Sequence, residues 1–362
     1  MPDETIYTRT VAEHADLRAA VTAFLQQCPL LQQMNLQGKR VLLKPNIVGP
    51  VAKAVTSPEI ICAVAAFVRS RGGAAVVAEG AGFEFTTEQV FHILDLYELG
   101  AREGFELVDL DRSGFSKVAT GDPVFPMIQI SKAVLEADMI FNLPKLKQHS
   151  LTRVTFSVKN LMGLVSRDTR RRFHARNIEH GIAVLARTIP TDFVLVDGIR
   201  TNTKAMHGQT AFRGVLMAGS DPLAVDKACC RALGFDPRDI PHLRELFPGG
   251  RSGGRVKAAK IDLGLSAIRA GYRTIYALDS LLARLGIKSS IVPQVHWYLG
   301  LRPAVGAADG AALEKGDKIC PAGAIDPRRR RIVKNRCIRV KCLRCIDIEP
   351  PGSFVVRGLR KS

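Results

Sequence analysis

The sequence predicts an α/β fold, a mostly parallel sheet with flanking helices, across its first 250 residues. Three observations carry that expectation. Short strand-like apolar runs alternate with helix-like segments in the βαβ rhythm of parallel sheets. The helix-like segments open and close on recognisable capping and stopping residues. The 362 residues are 46% apolar and 24% charged, ordinary globular values that exclude a largely disordered chain, a collagen or a small disulfide scaffold.

Taken in order, the run Arg40-Val41-Leu42-Leu43 is the first clear strand. Ser57 and Pro58 offer an N-cap and a first helical position for a helix reaching Ser70, which Gly72 and Gly73 stop. A strand over residues 74–78 ends in Glu79, and Thr86 with Gln89 forms a capping box for a helix bearing Val90, Phe91, Ile93, Leu94 and Tyr97. Gly100 closes that helical stretch. Further strands follow at residues 105–108, 137–141, 193–196 and 214–217. Asp221 before Pro222 is an N-cap for a helix in which Cys229 and Cys230 read as core. The run Pro-Gly-Gly-Arg-Ser-Gly-Gly at 248–254 reads as a linker or exposed loop. Residues 263–304 read as mostly helical, and a third unit starts near 306. The expected domains are therefore 1–250, a linker and helical segment at 251–305, and a small unit at 306–362.

The formal charge is +18, from 52 basic and 34 acidic residues. Such a field favours anionic partners without specifying which. Half of it lies in residues 311–362, where 14 basic residues face 5 acidic ones. Arg328 to Arg331 reads as a turn after Asp326-Pro327, suited to an acidic redox partner. With Trp297 the only tryptophan, no aromatic stacking surface for nucleic acid is indicated. The charge-free window from Ala19 to Gly38 is broken by Pro29, Asn35 and five glutamines, so no membrane span is expected. The acidic opening at Asp3 and Glu4 does not look like a secretory signal, and the chain reads as cytoplasmic.

In open parallel sheets, ligands collect beyond the carboxyl ends of the strands. Lys44, Asn46, Glu79, Lys145, Lys147 and Asp197 are expected there. The densest polar stretch runs from Asn142 to Gly163 and contains Lys145, Lys147, His149, Arg153, Lys159 and Asn160. It could supply an anion site and a proton-transfer pair. Asp197 and Asp226 are candidates to orient a lysine or bind a cation. The run Arg170 to Arg172, two residues before His174, reads as a solvated turn or as a holder of an anionic ligand beside that histidine.

The strings VLLKPNIV, ADMIFNLPKLKQHSLTRVTFSVKNLMGLV, FVLVDGI and LMAGSDPLAVDKACCRALGFDP resemble the signature segments of an uncharacterised family labelled domain of unknown function 362, often fused to a ferredoxin-like tail. The resemblance covers roughly residues 38–245 and implies no established reaction. A more distant likeness is to the lactate racemases that use a nickel-pincer cofactor. Glu136-Ala137-Asp138, His149, Lys159 and His174 stand at comparable spacing. In that family the lysine attaches the cofactor, one histidine ligates nickel and others handle the substrate proton. Its glycine-rich run before the lysine is replaced here by residues Arg153 to Val158. The likeness marks Lys159, His149 and His174 as catalytic candidates, with Lys44, Asn46, Lys145, Lys147, Asn160 and Asp197 as substrate-binding candidates.

Four of the eight cysteines, Cys320, Cys337, Cys342 and Cys345, fall within 26 residues. In a reducing compartment such clustering points to metal before disulfide. The segment resembles a two-cluster bacterial ferredoxin, in which each C-x2-C-x2-C-x3-C-P run lends its fourth cysteine to the other cluster. Cys320-Pro321 looks like the end of a first run whose other ligand positions hold Gly310, Leu313 and Gly316. Glu349 stands where the fourth cysteine of the second run would be. The losses fall on one cluster, leaving Cys320, Cys337, Cys342 and Cys345 as the ligands of one [4Fe–4S] cluster in a ferredoxin-like α+β unit. The C-x4-C-x2-C spacing leaves a [2Fe–2S] cluster or zinc as alternatives.

Three functional readings result. The first is an iron–sulfur oxidoreductase passing electrons from the cluster to an anionic substrate in the α/β domain. The second is a racemase-like or isomerase-like enzyme acting on a hydroxy acid or other carboxylate. The third is a zinc-containing nucleic-acid-binding or protein-binding module.

Overall fold

The computed structural model describes residues 5–83, 85–149, 152–202, 210–247, 302–320, 324–333 and 354–357. The chain divides into two units. The first comprises Met1–Gln148, Thr152–Asn202 and Thr210–Leu263, and the second His149–Leu151, Thr203–Gln209 and Gly264–Ser362.

The first unit is built on a mixed sheet whose centre is parallel. Its strands include β1 (Tyr7–Thr10), β2 (Arg40–Pro45), β3 (Ala74–Glu79), β4 (Glu106–Asp109), β7 (Met139–Leu143), β10 (Phe193–Asn202) and β11 (Thr210–Gly219), in the order β1-β11-β10-β7-β2-β3-β4. β10, β7, β2, β3 and β4 run parallel, whereas β1 and β10 pair antiparallel with β11. β8 (Lys145–His149) follows β7 after Pro144, pairs parallel with β10, and bonds to β9 (Arg153–Thr155). A separate hairpin is made of β5 (Phe115–Ala119) and β6 (Met127–Ser131).

Successive strand residues point to opposite faces, and both faces are covered. Val41 and Leu43 of β2, with Val77 and Phe141, join one core with Val21 and Leu25 of α1 (Leu17–Gln27) and Ile60, Val64 and Val68 of α3 (Pro58–Ser70). Leu42, Ala78 and Ile140 join the other core. Their partners there include Leu161 and Leu164, Phe173 of α8 (Arg167–Arg176), and Val184 and Leu185 of α9 (Ile178–Thr188). Burial on both faces explains why these strands read as unbroken apolar runs.

Most local signals hold. The helix expected from Pro58 spans Pro58–Ser70. Thr86 and Gln89 make both bonds of a capping box on α4 (Thr87–Ile93). Asp221 caps α10 (Pro222–Ala232) through the N–H groups of Leu223 and Ala224, and Cys229 and Cys230 are fully buried. Three expectations need correction. The helical stretch expected to close at Gly100 breaks after Ile93 and resumes as Leu96–Glu103, with Gly100 inside it and Gly104 as its left-handed C-cap. Ser57 makes no cap hydrogen bond, because its hydroxyl is held by Asp197. The run Arg170 to Arg172 is helix rather than turn.

Within the second unit, β12 (Arg302–Val305) pairs antiparallel with β15 (Phe354–Arg357). A helix, α12 (Gly310–Ile319), ends at Cys320. β13 (Ile325–Asp326) and β14 (Arg331–Ile332) form a hairpin whose turn holds Arg328, Arg329 and Arg330, so the four-arginine run is a turn and its exit. The linker expected at 248–254, the helical segment expected at 263–304, and Cys337, Cys342 and Cys345 lie outside the described residues.

Candidate functional site

The carboxyl ends of β2, β3 and β7 meet a single-turn helix, α7 (Ser157–Asn160), and the 3-10 turn Leu161–Leu164 that continues it. Lys44 sits opposite Asn142 in the β2–β7 register. Its Nζ lies 2.7 Å from Glu79 Oε1 and donates to the Pro45 carbonyl at 2.7 Å. The Glu79 carboxylate also accepts the backbone N–H of Ile47 at 2.7 Å and of Gly80 at 2.9 Å. Both side chains are almost fully buried, and burial lowers the Lys44 pKa although Glu79 opposes the shift. Gly163 closes over this pair: a Cβ there would stand 2.0 Å from Glu79 Oε1 and 2.7 Å from Lys44 Cε.

Asn160 ties these strand ends together. Its Oδ1 accepts from Asn46 Nδ2 at 2.8 Å, and its Nδ2 donates to Asn142 Oδ1 at 2.8 Å and to the Lys44 carbonyl at 3.0 Å. Asn142 in turn donates to the Ser157 carbonyl at 2.8 Å. Asn46 Oδ1 is buried without a hydrogen-bond partner.

A second ion pair lies on β8 and β10. Lys145 and Asp197 are directly opposite in the register, and Lys145 Nζ lies 2.8 Å from Asp197 Oδ2. The same oxygen accepts the N–H and the hydroxyl of Ser57, each at 2.7 Å. Lys44 and Lys145 are therefore already neutralised by carboxylates of the fold.

Lys147 and Lys159 are not. Lys147, two residues beyond Lys145 on β8 and 1% exposed, donates to the Ala54 carbonyl at 2.7 Å, a neutral partner. Burial and the charge of Lys145 bring its pKa down to about 7. Lys159, 8% exposed, makes no hydrogen bond or ion pair among the described residues. Burial holds its pKa well below 10.5, with the charge of Lys147 adding to the shift and Glu179 opposing it. A buried amine with no carboxylate beside it sheds its proton rather than carry a desolvated charge. An anion entering here would meet one donor that can regain a proton and one amine able to accept one.

Asp226 of α10, fully buried, faces the start of α7. Its Oδ1 accepts the Ser157 N–H at 2.8 Å and the Ser157 hydroxyl, and its Oδ2 accepts the Val158 N–H at 3.0 Å. Burial pushes its pKa up to about 6 against the effect of these bonds. On the neighbouring helix α9, Glu179 is paired with Nδ1 of buried His242, which belongs to α11 (Pro241–Arg244).

The structure thus brings together Lys44, Asn46, Lys145, Lys147, Lys159, Asn160 and Asp197. His149 ends β8 and falls in the second unit. His174 lies on α8, where its Nδ1 meets the Arg170 carbonyl at 2.7 Å and its ring stands edge-on to Phe83 at 5.2 Å. The Arg170 guanidinium is buried and held by the carbonyls of Gly80 and Ala81 and by the Asp111 carboxylate. Its charge is already engaged by the fold, so it is neither a solvated residue nor an idle anion holder. Sequence reasoning missed the Ser57 contact and the Glu179–His242 pair. Neither has a local signal, since Ser57 and Asp197 are 140 residues apart and Glu179 and His242 are 63 apart.

The family described as "Domain of unknown function (DUF362)" matches residues 41–231, which encloses every residue of this site except His242. The "Thylakoid-associated protein sll1697" of Synechocystis sp. (strain ATCC 27184 / PCC 6803 / Kazusa) is 30% identical over 240 residues, 63% of this chain and 74% of that protein. A solved structure, the lactate racemase apoprotein from Thermoanaerobacterium thermosaccharolyticum, aligns with a TM-score of 0.39 at 17% identity. That alignment covers 62% of this chain and 56% of the other, so the chain spans little more than half the length of that protein.

Proposed function

The chain belongs to the DUF362 family, and we propose that its α/β unit is an enzyme that binds a small carboxylate at the strand ends and moves a proton with Lys159. The observation that carries this reading is Lys159 of α7, 8% exposed, with burial holding its pKa well below 10.5 and no carboxylate paired with it among the described residues. A neutral lysine is a competent general base, and burial favours the neutral form here, with the charge of Lys147 adding to the shift and Glu179 opposing it.

The substrate carboxylate pairs with the Lys147 ammonium, restoring that group's proton affinity on binding. Lys159 takes the proton from the carbon next to the carboxylate, and the Lys147 charge steadies the negative charge that develops. Return of a proton to the same carbon completes an exchange or isomerisation. Lys44 and Lys145, already paired, hold the frame in which these two amines stand.

The test is hydrogen exchange. Small hydroxy and other carboxylates incubated with the full-length protein in D2O, followed by proton NMR, are expected to lose the signal of the hydrogen next to the carboxylate in at least one case. Lys159→Ala is expected to slow that loss by roughly 10²–10⁴-fold, the usual contribution of a general base. A panel with no exchange at any pH from about 6 to 9, on both sides of the value of about 7 for Lys147, would overturn the reading.

A second reading adds electron transfer to such a substrate. Cys320 is a free thiol whose Sγ accepts the backbone N–H of Ala324 at 3.3 Å. With Cys337, Cys342 and Cys345 it would supply the four thiolates of one [4Fe–4S] cluster, with a [2Fe–2S] cluster or zinc as the alternatives. When bound, the cluster would supply single electrons. Iron and sulfide analysis of protein purified anaerobically decides between the two readings.

A further inference from the structure

We infer that Asp226 is the positioning residue of this site: each oxygen of its carboxylate holds one backbone N–H at the start of α7, and this aims Lys159 and Asn160 at the strand ends. The inference rests on the reading of Lys159 given above.

α7 has four residues, Ser157–Asn160. A single turn leaves its leading N–H groups without partners inside the helix and has little stability of its own. What fixes it must come from outside. Asp226 does so from α10, with Oδ1 on the Ser157 N–H at 2.8 Å and Oδ2 on the Val158 N–H at 3.0 Å. The Ser157 hydroxyl bonds to the same carboxylate, with the Pro222 carbonyl 2.8 Å away as its other acceptor. From the opposite side Asn142 donates to the Ser157 carbonyl at 2.8 Å. Ser157 is thus clamped between α10 and β7, two residues before Lys159. Asn160, the last residue of the turn, makes the hydrogen bonds that join the ends of β2 and β7.

The choice of a carboxylate is informative because it is costly. A fully buried aspartate is pushed up to about 6 by desolvation, so its ionised form is held against the burial penalty. An asparagine has the same shape but presents only one acceptor oxygen, and its NH2 would face the second N–H. Only a carboxylate accepts both backbone groups at once.

The test is the titration of Lys159 itself, followed by the 13Cε signal of protein labelled with [6-13C]lysine and assigned through Lys159→Arg. In the wild-type protein the midpoint is expected well below 10.5. In Asp226→Asn it is expected to move up by about one pH unit or more as the released turn lets water reach the amine. Removing a negative charge without moving the turn acts in the opposite direction, so the sign separates positioning from simple electrostatics. Ser157→Ala removes only the hydroxyl bond and is expected to give a smaller upward move. It also carries the test should Asp226→Asn not fold. A low wild-type midpoint that stays put or falls in the folded variants would overturn the positioning role alone. A wild-type midpoint at 10.5 would overturn the reading of Lys159, and this inference with it.

Discussion

Lys44 and Glu79, the penultimate residue of β2 and the last residue of β3, form an ion pair at 2.7 Å in which neither side chain is more than 4% exposed. Because β2 and β3 are parallel neighbours, the pair locks two strand ends where the site begins. Replacing Lys44 by Met leaves a buried carboxylate with only backbone donors. The expected loss is about 3–5 kcal/mol of unfolding free energy in urea, the usual cost of breaking a buried pair. The double variant Lys44→Met, Glu79→Gln is expected to lose clearly less than the sum of the single losses. Additive losses would show that the two groups do not depend on each other.

Gly163→Ala is expected to destabilise the protein by about 1–3 kcal/mol, the range for an atom forced into a packed interior. Its added Cβ would fall 2.0 Å from Glu79 Oε1. Gly310→Ala, where a Cβ meets nothing within 4 Å, is the control expected to lie close to zero.

The site is legible in the sequence where chemistry follows from strand ends. An apolar run followed by a polar residue marks Lys44 and Glu79 at the ends of β2 and β3, whereas Asp197, marked in the same way, lies in the middle of β10, which continues to Asn202. The antiparallel edge formed by β11 and β1 is less legible, since strand direction depends on connections rather than on apolar pattern. Which lysine is paired and which is not cannot be read from the sequence at all. Lys145 and Lys147 differ by two positions, yet the β8–β10 register sets Lys145 opposite Asp197 and Lys147 opposite Asn202. Arg170 was misread for the same reason: a run of arginines gives no sign that one of them turns inward to Asp111.

Stability is expected to rise with pH above neutrality. The folded-state pKa of Lys147, about 7, lies below its ordinary 10.5. Between those values the unfolded chain binds more protons than the folded one, so unfolding free energy increases by up to about 1.4 kcal/mol per pH unit from this group. Lys159 acts in the same direction. Asp226 has the opposite sign in a lower window. Its folded-state pKa of about 6 exceeds the ordinary 3.8, so its contribution is fully present below 3.8 and is lost as pH rises through 6. Urea unfolding of wild type and Lys147→Met at pH 7, 8 and 9 checks the lysine part, and the variant is expected to show a visibly shallower rise.

Metal content is the prediction for the second unit. Protein purified anaerobically is expected to be brown with about four irons per chain, and Cys342→Ser is expected to bleach it. Colourless protein carrying one zinc would remove the electron-transfer reading while leaving the lysine site as it stands.

The most direct measurement of the central claim is the titration of Lys147 and Lys159 by their 13Cε signals in the wild-type protein, with and without a bound carboxylate. The account predicts a midpoint near 7 for Lys147 and one well below 10.5 for Lys159, with the Lys147 midpoint rising when the carboxylate binds. Both midpoints at 10.5, unmoved by any carboxylate, would contradict it.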